Sequence, residues 1–245
     1  MKQKRGQVTI FVIIAILIVA GILLFFYVQN KTSSLTPSIP KDIQPINNFV
    51  QDCLRETGEN ALIRIGEQGG YFLMPEEVPF VDGRIPYYVY EDRNLMPQKE
   101  KIETQINGFI KQELSYCILN FKDFKSQQNI THNLKNVKTE INNGNVVISI
   151  EYPLTITKGD SASSFKDFHV IIPININKEI MVSKTITENI ISEKDGFCLS
   201  CIYDIAKDYN VQLDLLDYGD STIFSITDNS NKINNQSYEW SFAIK

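Results

Sequence analysis

A long apolar segment near the N-terminus constrains this chain more than any other feature. From Val8 to Val28 the sequence reads VTIFVIIAILIVAGILLFFYV and contains no charged side chain. As one α-helix, at about 1.5 Å per residue, the segment would be about 32 Å long, and the hydrocarbon core of a bilayer is about 30 Å thick. Because lipid leaves backbone polar groups unpaired unless the segment is helical, the sequence predicts a transmembrane helix over residues 7–28.

The charges beside this segment predict its orientation. Lys2, Lys4 and Arg5 precede it, whereas only Lys31 follows closely. By the positive-inside rule the basic flank stays in the cytoplasm. We therefore expect a cytoplasmic leader at residues 1–6, a single-pass location in the cell membrane, and a C-terminal domain outside the cytoplasm.

The apolar segment is too long for a cleaved secretory signal, whose apolar region covers about 7 to 15 residues. The sequence KRGQVTIF, from Lys4 to Phe11, resembles instead the class III signal of archaeal type IV pilins. In that family a membrane prepilin peptidase cuts after the glycine. The resemblance implies processing between Gly6 and Gln7, and a retained helix that stays in the membrane or self-assembles into an extracellular filament. The alternative is an uncleaved membrane anchor, in which Lys4 and Arg5 only determine which end of the helix stays in the cytoplasm.

A looser resemblance covers nearly the whole chain. The KRGQVTIF opening, the QGGYF and IPYY stretches and a late CxxC are similar to those of uncharacterised single-span surface proteins of small-genome archaea. This resemblance implies no particular activity.

The charge of the chain excludes one class of partner. The chain has 24 Lys and Arg against 29 Asp and Glu. Without the three cations of the leader, 21 basic residues stand against 29 acidic ones, a formal charge of about −8. No basic patch is visible in the sequence, so we expect no nucleic acid as a partner.

Three asparagines fit the N-x-S/T acceptor pattern and are candidate glycosylation sites in an exported protein. They are Asn30, Asn129 and Asn235, and we expect them in surface loops.

The first half of the exported region is predicted to be helical. Residues 29–44 are polar and contain Pro and Ser, which predicts a semi-extended stalk. Over residues 45–65 apolar side chains recur at three-to-four spacing, and the Gly69-Gly70 pair follows, which predicts a long amphipathic helix. A second such helix is expected over Gln98–Asn120, packed on the first.

The second half is predicted to be rich in strands. Ile85–Tyr90 is expected to form an edge strand or an aromatic-rich loop, and its tyrosines to pack rather than to contact a glycan or a protein. From Asn136 the apolar period changes to two, and Asn142-Asn143-Gly144 predicts a hairpin turn. The segment over 178–193 is compatible with a helix or a strand, and the helix is favoured. The remaining expected elements are a helix over 199–209 and strands near 165–176, 211–217, 222–227 and 237–244.

These elements predict an α+β fold. It has an N-terminal transmembrane helix, two long amphipathic helices, and then a strand-rich, mainly antiparallel C-terminal half. Residues 45–245 are expected to form the extracytoplasmic domain, with a sub-boundary near residues 125–135.

All four cysteines lie after the apolar segment, where an oxidising environment favours disulfides. Cys53 and Cys117 each lie on the apolar stripe of a long predicted helix. A bridge between them would lock the two helices together and contribute roughly 4 kcal/mol by chain entropy. Two buried free thiols are the alternative.

The motif Cys198-Leu199-Ser200-Cys201 is the only one with candidate chemistry. A CxxC at a helix start can have a lowered thiol pKa, because the helix N-terminus favours the thiolate, as in thioredoxin-like proteins. No proline follows Pro173, so the cis-proline loop of that family is missing. A local disulfide, a redox pair, and a zinc site shared by all four cysteines remain alternatives.

No standard catalytic signature occurs in the sequence. The two histidines, His132 in a polar loop and His169 in an expected strand, belong to no metal-binding motif, and no P-loop, GxSxG or GxGxxG is present. We predict no catalytic residue, no metal and no cofactor. Two acidic pairs are expected to be solvated surface, namely Glu76 with Glu77 and Asp217 with Asp220.

Together these features predict a membrane-anchored extracytoplasmic structural or interaction protein with a surface partner of unknown identity. In the pilin-like version it is a filament subunit. One alternative is an uncleaved single-span envelope protein. The other is an anchored thiol-disulfide oxidoreductase that uses Cys198 and Cys201.

Overall fold

The protein combines helices and strands in an α+β fold, as the sequence predicts. The chain divides into two units, Met1–Gln44 and Pro45–Lys245, and each is described by itself. The computed structural model describes residues 13–22, 43–126, 128–192 and 198–245.

The first unit contains the helix α1, over residues 13–22. No helix in the described ranges is both long enough and apolar enough to cross a membrane. The prediction of a transmembrane helix is therefore wrong for the described residues. The leader, the cleavage position between Gly6 and Gln7, and Asn30 lie outside them.

The second unit has four helices and one short 3-10 turn among its described residues. The two long amphipathic helices are confirmed, and so is the helix that the sequence favours over 178–193. These elements are α2 (Gln44–Glu67), α3 (Lys99–Ile118), the 3-10 turn Leu119–Phe121, α4 (Ile176–Ser192) and α5 (Leu199–Asp208).

Ten strands complete the described part of this unit. They are β1 (Phe80–Val81), β2 (Ile85–Tyr90), β3 (Arg93–Asn94), β4 (Asn129–His132), β5 (Asn136–Ile141), β6 (Val146–Lys158), β7 (Ser161–Ile172), β8 (Gln212–Tyr218), β9 (Ser221–Ile233) and β10 (Gln236–Ile244).

Six strands form the larger sheet, in the order β1-β2-β10-β9-β8 with β3 also paired to β2. All its pairs are antiparallel except β2 with β10. The strand β2 has neighbours on both edges, so the prediction of an edge strand or loop is wrong. Pro86 is compatible with a strand that has neighbours on both edges, because the pairing with β10 begins one residue later, at Tyr87 opposite Ala243. The missing N–H therefore costs no hydrogen bond with β10.

Four strands form the second sheet, which is antiparallel throughout. The strand β7 pairs along the whole of β6, while β5 and β4 share the opposite edge of β6. The predicted hairpin is confirmed, because the Asn142 N–H donates to the Asn145 carbonyl at 2.9 Å between β5 and β6. The pairing of β6 shifts register between Glu151 and Leu154, which marks a bulge beside Tyr152.

The helix α2 packs against both sheets because two of its positions are glycines. A Cβ atom at Gly58 would lie 2.7 Å from Ile148 of β6, and one at Gly66 would overlap the backbone carbonyl of Glu239 in β10. The Tyr238 hydroxyl of β10 also donates to the Leu62 carbonyl at 3.0 Å. Close approach to both sheets therefore requires glycine at these positions.

Candidate functional site

The disulfide between Cys53 and Cys117 joins α2 to α3, and their Cα atoms are 5.6 Å apart. Cys53 is buried, with 2% of its surface exposed. Cys117 is half-buried, and the bond joins the two helices directly. The bond predicted between the two long helices is thus present, and the alternative of two free thiols is wrong.

The second disulfide, between Cys198 and Cys201, lies at the start of α5. Cys198 is the N-cap residue, and its sulfur accepts a hydrogen bond from the Cys201 N–H at 3.2 Å. The Ser200 hydroxyl lies 3.4 Å from the same sulfur. Both cysteines are half-buried. Because all four sulfurs are in disulfides, the zinc site shared by four thiolates is also wrong.

The tyrosines of β2 pack inside the unit. Tyr88 is fully buried and its ring stacks on Phe242, with 4.5 Å between ring centroids. Its hydroxyl donates to the Gly69 carbonyl at 2.9 Å and accepts from the Trp240 indole nitrogen at 3.0 Å. Burial raises the pKa of Tyr88 far above its usual value. This group is therefore a hydrogen-bonded part of the core.

Sequence reasoning missed a buried polar cluster between α4 and β9. Glu179 is fully buried, and Lys178 binds Asp228 at 2.9 Å beside it. The Asn231 amide nitrogen donates to Glu179 Oε1 at 3.2 Å. Burial raises the pKa of Glu179 to about 7. The signal available in the sequence was the series Glu179, Ser183 and Thr187, which places polar residues at helical spacing on the buried side of α4.

A second group that sequence reasoning missed surrounds His132. This residue lies in β4 rather than in the predicted loop, whereas His169 lies in β7 as predicted. The ring nitrogens of His132 are hydrogen-bonded to Asn120, after α3, and to Tyr152, in β6. Neither partner carries a sequence signal, because Tyr152 comes near His132 through the pairing of β4 with β6, and Asn120 joins them from the 3-10 turn after α3.

The other residues singled out by the sequence lie on the surface. The acidic residues Glu76, Glu77 and Asp217 are exposed, and Asp220, also exposed, pairs with Lys245. Of the candidate glycosylation sites, Asn235 is exposed in the turn between β9 and β10, whereas Asn129 is exposed but begins β4 instead of lying in the expected loop. Within the described ranges, no group of three or more His, Cys, Asp or Glu side chains is arranged to hold a metal ion.

Comparison with protein-family models, with curated proteins and with solved structures finds no match to this chain.

Proposed function

We infer that this protein works outside the cytoplasm as a structural or interaction subunit, attached through its apolar N-terminal segment to the membrane or to other copies of itself. The observation that carries this inference is the pairing of all four cysteines in two disulfides. Structural disulfides persist in oxidising surroundings and are rare in the cytosol of most organisms. They support an exported domain.

The helix α1 supports the attachment. It reads IIAILIVAGI, and Ile16 and Leu17 are 62% and 66% exposed. A continuous apolar surface of this kind needs lipid or protein to cover it. The pilin-like opening adds a route to self-assembly, in which a prepilin peptidase releases the chain that begins at Gln7. The alternative is an unprocessed envelope protein attached through the same segment.

The second unit offers an edge for contact with a partner. The strand β8 lies at the end of the larger sheet, and among the described residues β9 is its one partner strand. Its Leu216 and Tyr218 are 59% and 47% exposed. An edge strand of this kind carries unpaired backbone groups that can add a strand from another chain. This edge supports an interaction role rather than a catalytic one.

The first experiment is to determine the N-terminus and the thiol content of the native protein. Mass spectrometry on the protein from membranes, and from a sheared filament fraction, is expected to find a chain that begins at Gln7. A chain that begins at Met1 would support the alternative, an unprocessed envelope protein. Alkylation without reduction is expected to modify no cysteine. A protein recovered from the cytosol with four alkylated cysteines would contradict the whole proposal.

One observation favours a second candidate, thiol-disulfide exchange at Cys198 and Cys201. Their disulfide lies at the N-terminus of α5, where the helix dipole stabilises a thiolate at Cys198. In this reaction a substrate dithiol becomes a disulfide while the Cys198–Cys201 bond is reduced to two thiols. Oxidation of a dithiol peptide should be lost in the Cys198→Ser, Cys201→Ser variant. It should persist in the matched Cys53→Ser, Cys117→Ser variant.

A further inference from the structure

Three hydrogen-bonded side chains lie where the end of α3 meets β4 and β6. His132 Nε2 is 2.7 Å from Asn120 Oδ1, and His132 Nδ1 is 2.8 Å from the Tyr152 hydroxyl. Because an amide oxygen only accepts, Nε2 carries the proton and Nδ1 accepts from the hydroxyl. Burial lowers the pKa of His132, and the charge of Lys125 lowers it further, so the neutral ring is favoured.

This arrangement determines which end of the Asn120 amide is free. Its oxygen is bound to His132, so its nitrogen keeps two hydrogens that have no partner among the described residues. If the ring of His132 were charged, Nε2 would still donate to the oxygen. His132 and Tyr152 therefore position the Asn120 amide with its donor side available.

The backbone holds Asn120 in an unusual conformation. Leu119, Asn120 and Phe121 have φ angles of 45°, 53° and 56°. Each non-glycine residue in this region costs on the order of 1 to 3 kcal/mol, and such costs are concentrated at binding and catalytic sites. Phe121 stabilises the turn, because its ring is fully buried and packs edge-on against the ring of His132, with centroids 5.0 Å apart.

A cavity of about 330 Å³ lies beside these residues. Its walls include Lys111 and Ser115 of α3 and Asn133 after β4, together with Asn120, His132 and Tyr152. This volume suits a small organic molecule. No Asp or Glu is among the described residues that line it, although the chain has a formal net charge of −5. The ammonium of Lys111 has no acidic partner within 4 Å among the described residues.

We propose that this cavity binds a small ligand through a carboxylate group, with the Lys111 ammonium and the Asn120 amide nitrogen as the recognising groups. A carboxylate supplies acceptors only, which is what unpaired N–H donors and an unpaired cation require. A free organic acid and a carboxylated sugar share this chemistry. His132 and Tyr152 are positioning residues, since they act through Asn120. The proposal does not depend on where the protein is located or whether it assembles.

The test uses the two histidines as probes. In full-length protein in detergent, labelled with ¹⁵N-histidine, only His132 and His169 give ring signals, and His169 is exposed on β7 as an internal control. Titration at constant pH with acetate and with glucuronate should shift the His132 signals saturably and leave His169 unchanged. Glucose should have no effect. Tighter binding of glucuronate than of acetate would indicate a carboxylated sugar, and equal binding a free acid.

Two substitutions locate the recognising groups. Lys111→Gln removes the charge from an exposed helix position, and Asn120→Asp keeps the acceptor for His132 but replaces the donors with a carboxylate. Each should weaken carboxylate binding about tenfold or more. The control Lys207→Gln, on α5, should bind as the unmodified protein does. The proposal is overturned if glucose shifts His132 as glucuronate does, if neither carboxylate gives a saturable shift, or if Lys111→Gln retains full affinity.

Discussion

Glu179 and Asn231 are joined by one hydrogen bond in the interior, and this bond pairs only one of the two carboxyl oxygens of Glu179. The Asn231 amide nitrogen donates to Oε1 at 3.2 Å, whereas Oε2 is buried without a partner among the described residues. The ammonium of the neighbouring residue in the chain, Lys178, is bound to Asp228. A buried carboxylate without its own cation is costly. The folded protein therefore favours the protonated form of Glu179, with a pKa of about 7.

This raised pKa makes stability depend on pH. In an unfolded chain the pKa of Glu is about 4.3, so between about pH 4 and 7 the folded state binds the proton more tightly. The stabilisation is complete below this range and is lost as pH rises through the folded pKa. The loss is of the order of 3 kcal/mol. Glu179→Gln should remove it, so that the variant is more stable than the unmodified protein at pH 8.

Denaturant unfolding at several pH values, followed by the fluorescence of Trp240, measures this difference. Glu188→Gln is the matched control, because Glu188 lies on the same helix and is about 60% exposed. Its stability should follow the pH profile of the unmodified protein. Parallel profiles for Glu179→Gln and Glu188→Gln would show that the buried carboxyl does not produce the effect.

The close contact of α2 with β10 predicts opposite effects for two substitutions of glycine by alanine in helices. At Gly66 an added Cβ would overlap the Glu239 carbonyl, and it would also lie 2.9 Å from the Tyr238 hydroxyl. Because the obstacle is backbone, Gly66→Ala should destabilise the protein by about 1–3 kcal/mol. At Gly108 in α3 the nearest atom is 3.8 Å away, on Phe72.

Gly108→Ala should therefore stabilise the protein by up to about 1 kcal/mol, through helix propensity alone. Thermal or denaturant unfolding of both variants measures the difference in sign. A Gly66→Ala variant as stable as Gly108→Ala would mean that α2 does not approach β10 closely in solution.

The two disulfides should differ in their contribution to stability. The bond between Cys53 and Cys117 spans a sequence separation of 64, and that between Cys198 and Cys201 a separation of 3. Chain entropy predicts about 4 kcal/mol for the long loop and about 2 kcal/mol for the short one. Replacing each pair by serine, and comparing the free energies of unfolding, tests this. Equal losses would contradict the entropic explanation.

The sequence predicted what depends on local pattern. The spacing of apolar residues predicted α2 and α3, and Asn142-Asn143-Gly144 predicted the hairpin between β5 and β6, because each signal lies within one element or turn. The disulfide between Cys53 and Cys117 was predicted from two cysteines on the apolar stripes of long helices, whereas for Cys198 and Cys201 a local disulfide was one of three alternatives.

The sequence did not predict what depends on distant partners. The central position of β2 results from its pairing with β10, more than 150 residues later, and nothing in IPYYVY indicates that partner. The same is true of Asn120 and Tyr152, which meet only across His132. The prediction of a transmembrane helix was wrong for the described residues, because none of their helices is both long enough and apolar enough to cross a membrane.

The hydrogen bond from the Trp240 indole to the Tyr88 hydroxyl predicts a large effect from the loss of one oxygen atom. Tyr88→Phe would leave two buried groups unpaired, the indole N–H and the Gly69 carbonyl. An unsatisfied buried group costs about 1–3 kcal/mol, so the total loss should be about 2–4 kcal/mol.

Tyr90→Phe is the control, because that ring is half-buried and its hydroxyl forms no hydrogen bond with the described residues. It should cost less than about 0.5 kcal/mol. The only tryptophan of the chain reports unfolding in both variants. If Tyr88→Phe and Tyr90→Phe unfolded at the same denaturant concentration, the buried hydrogen bond between Trp240 and Tyr88 would not stabilise the fold. The core between β2 and β10 would then depend on packing alone.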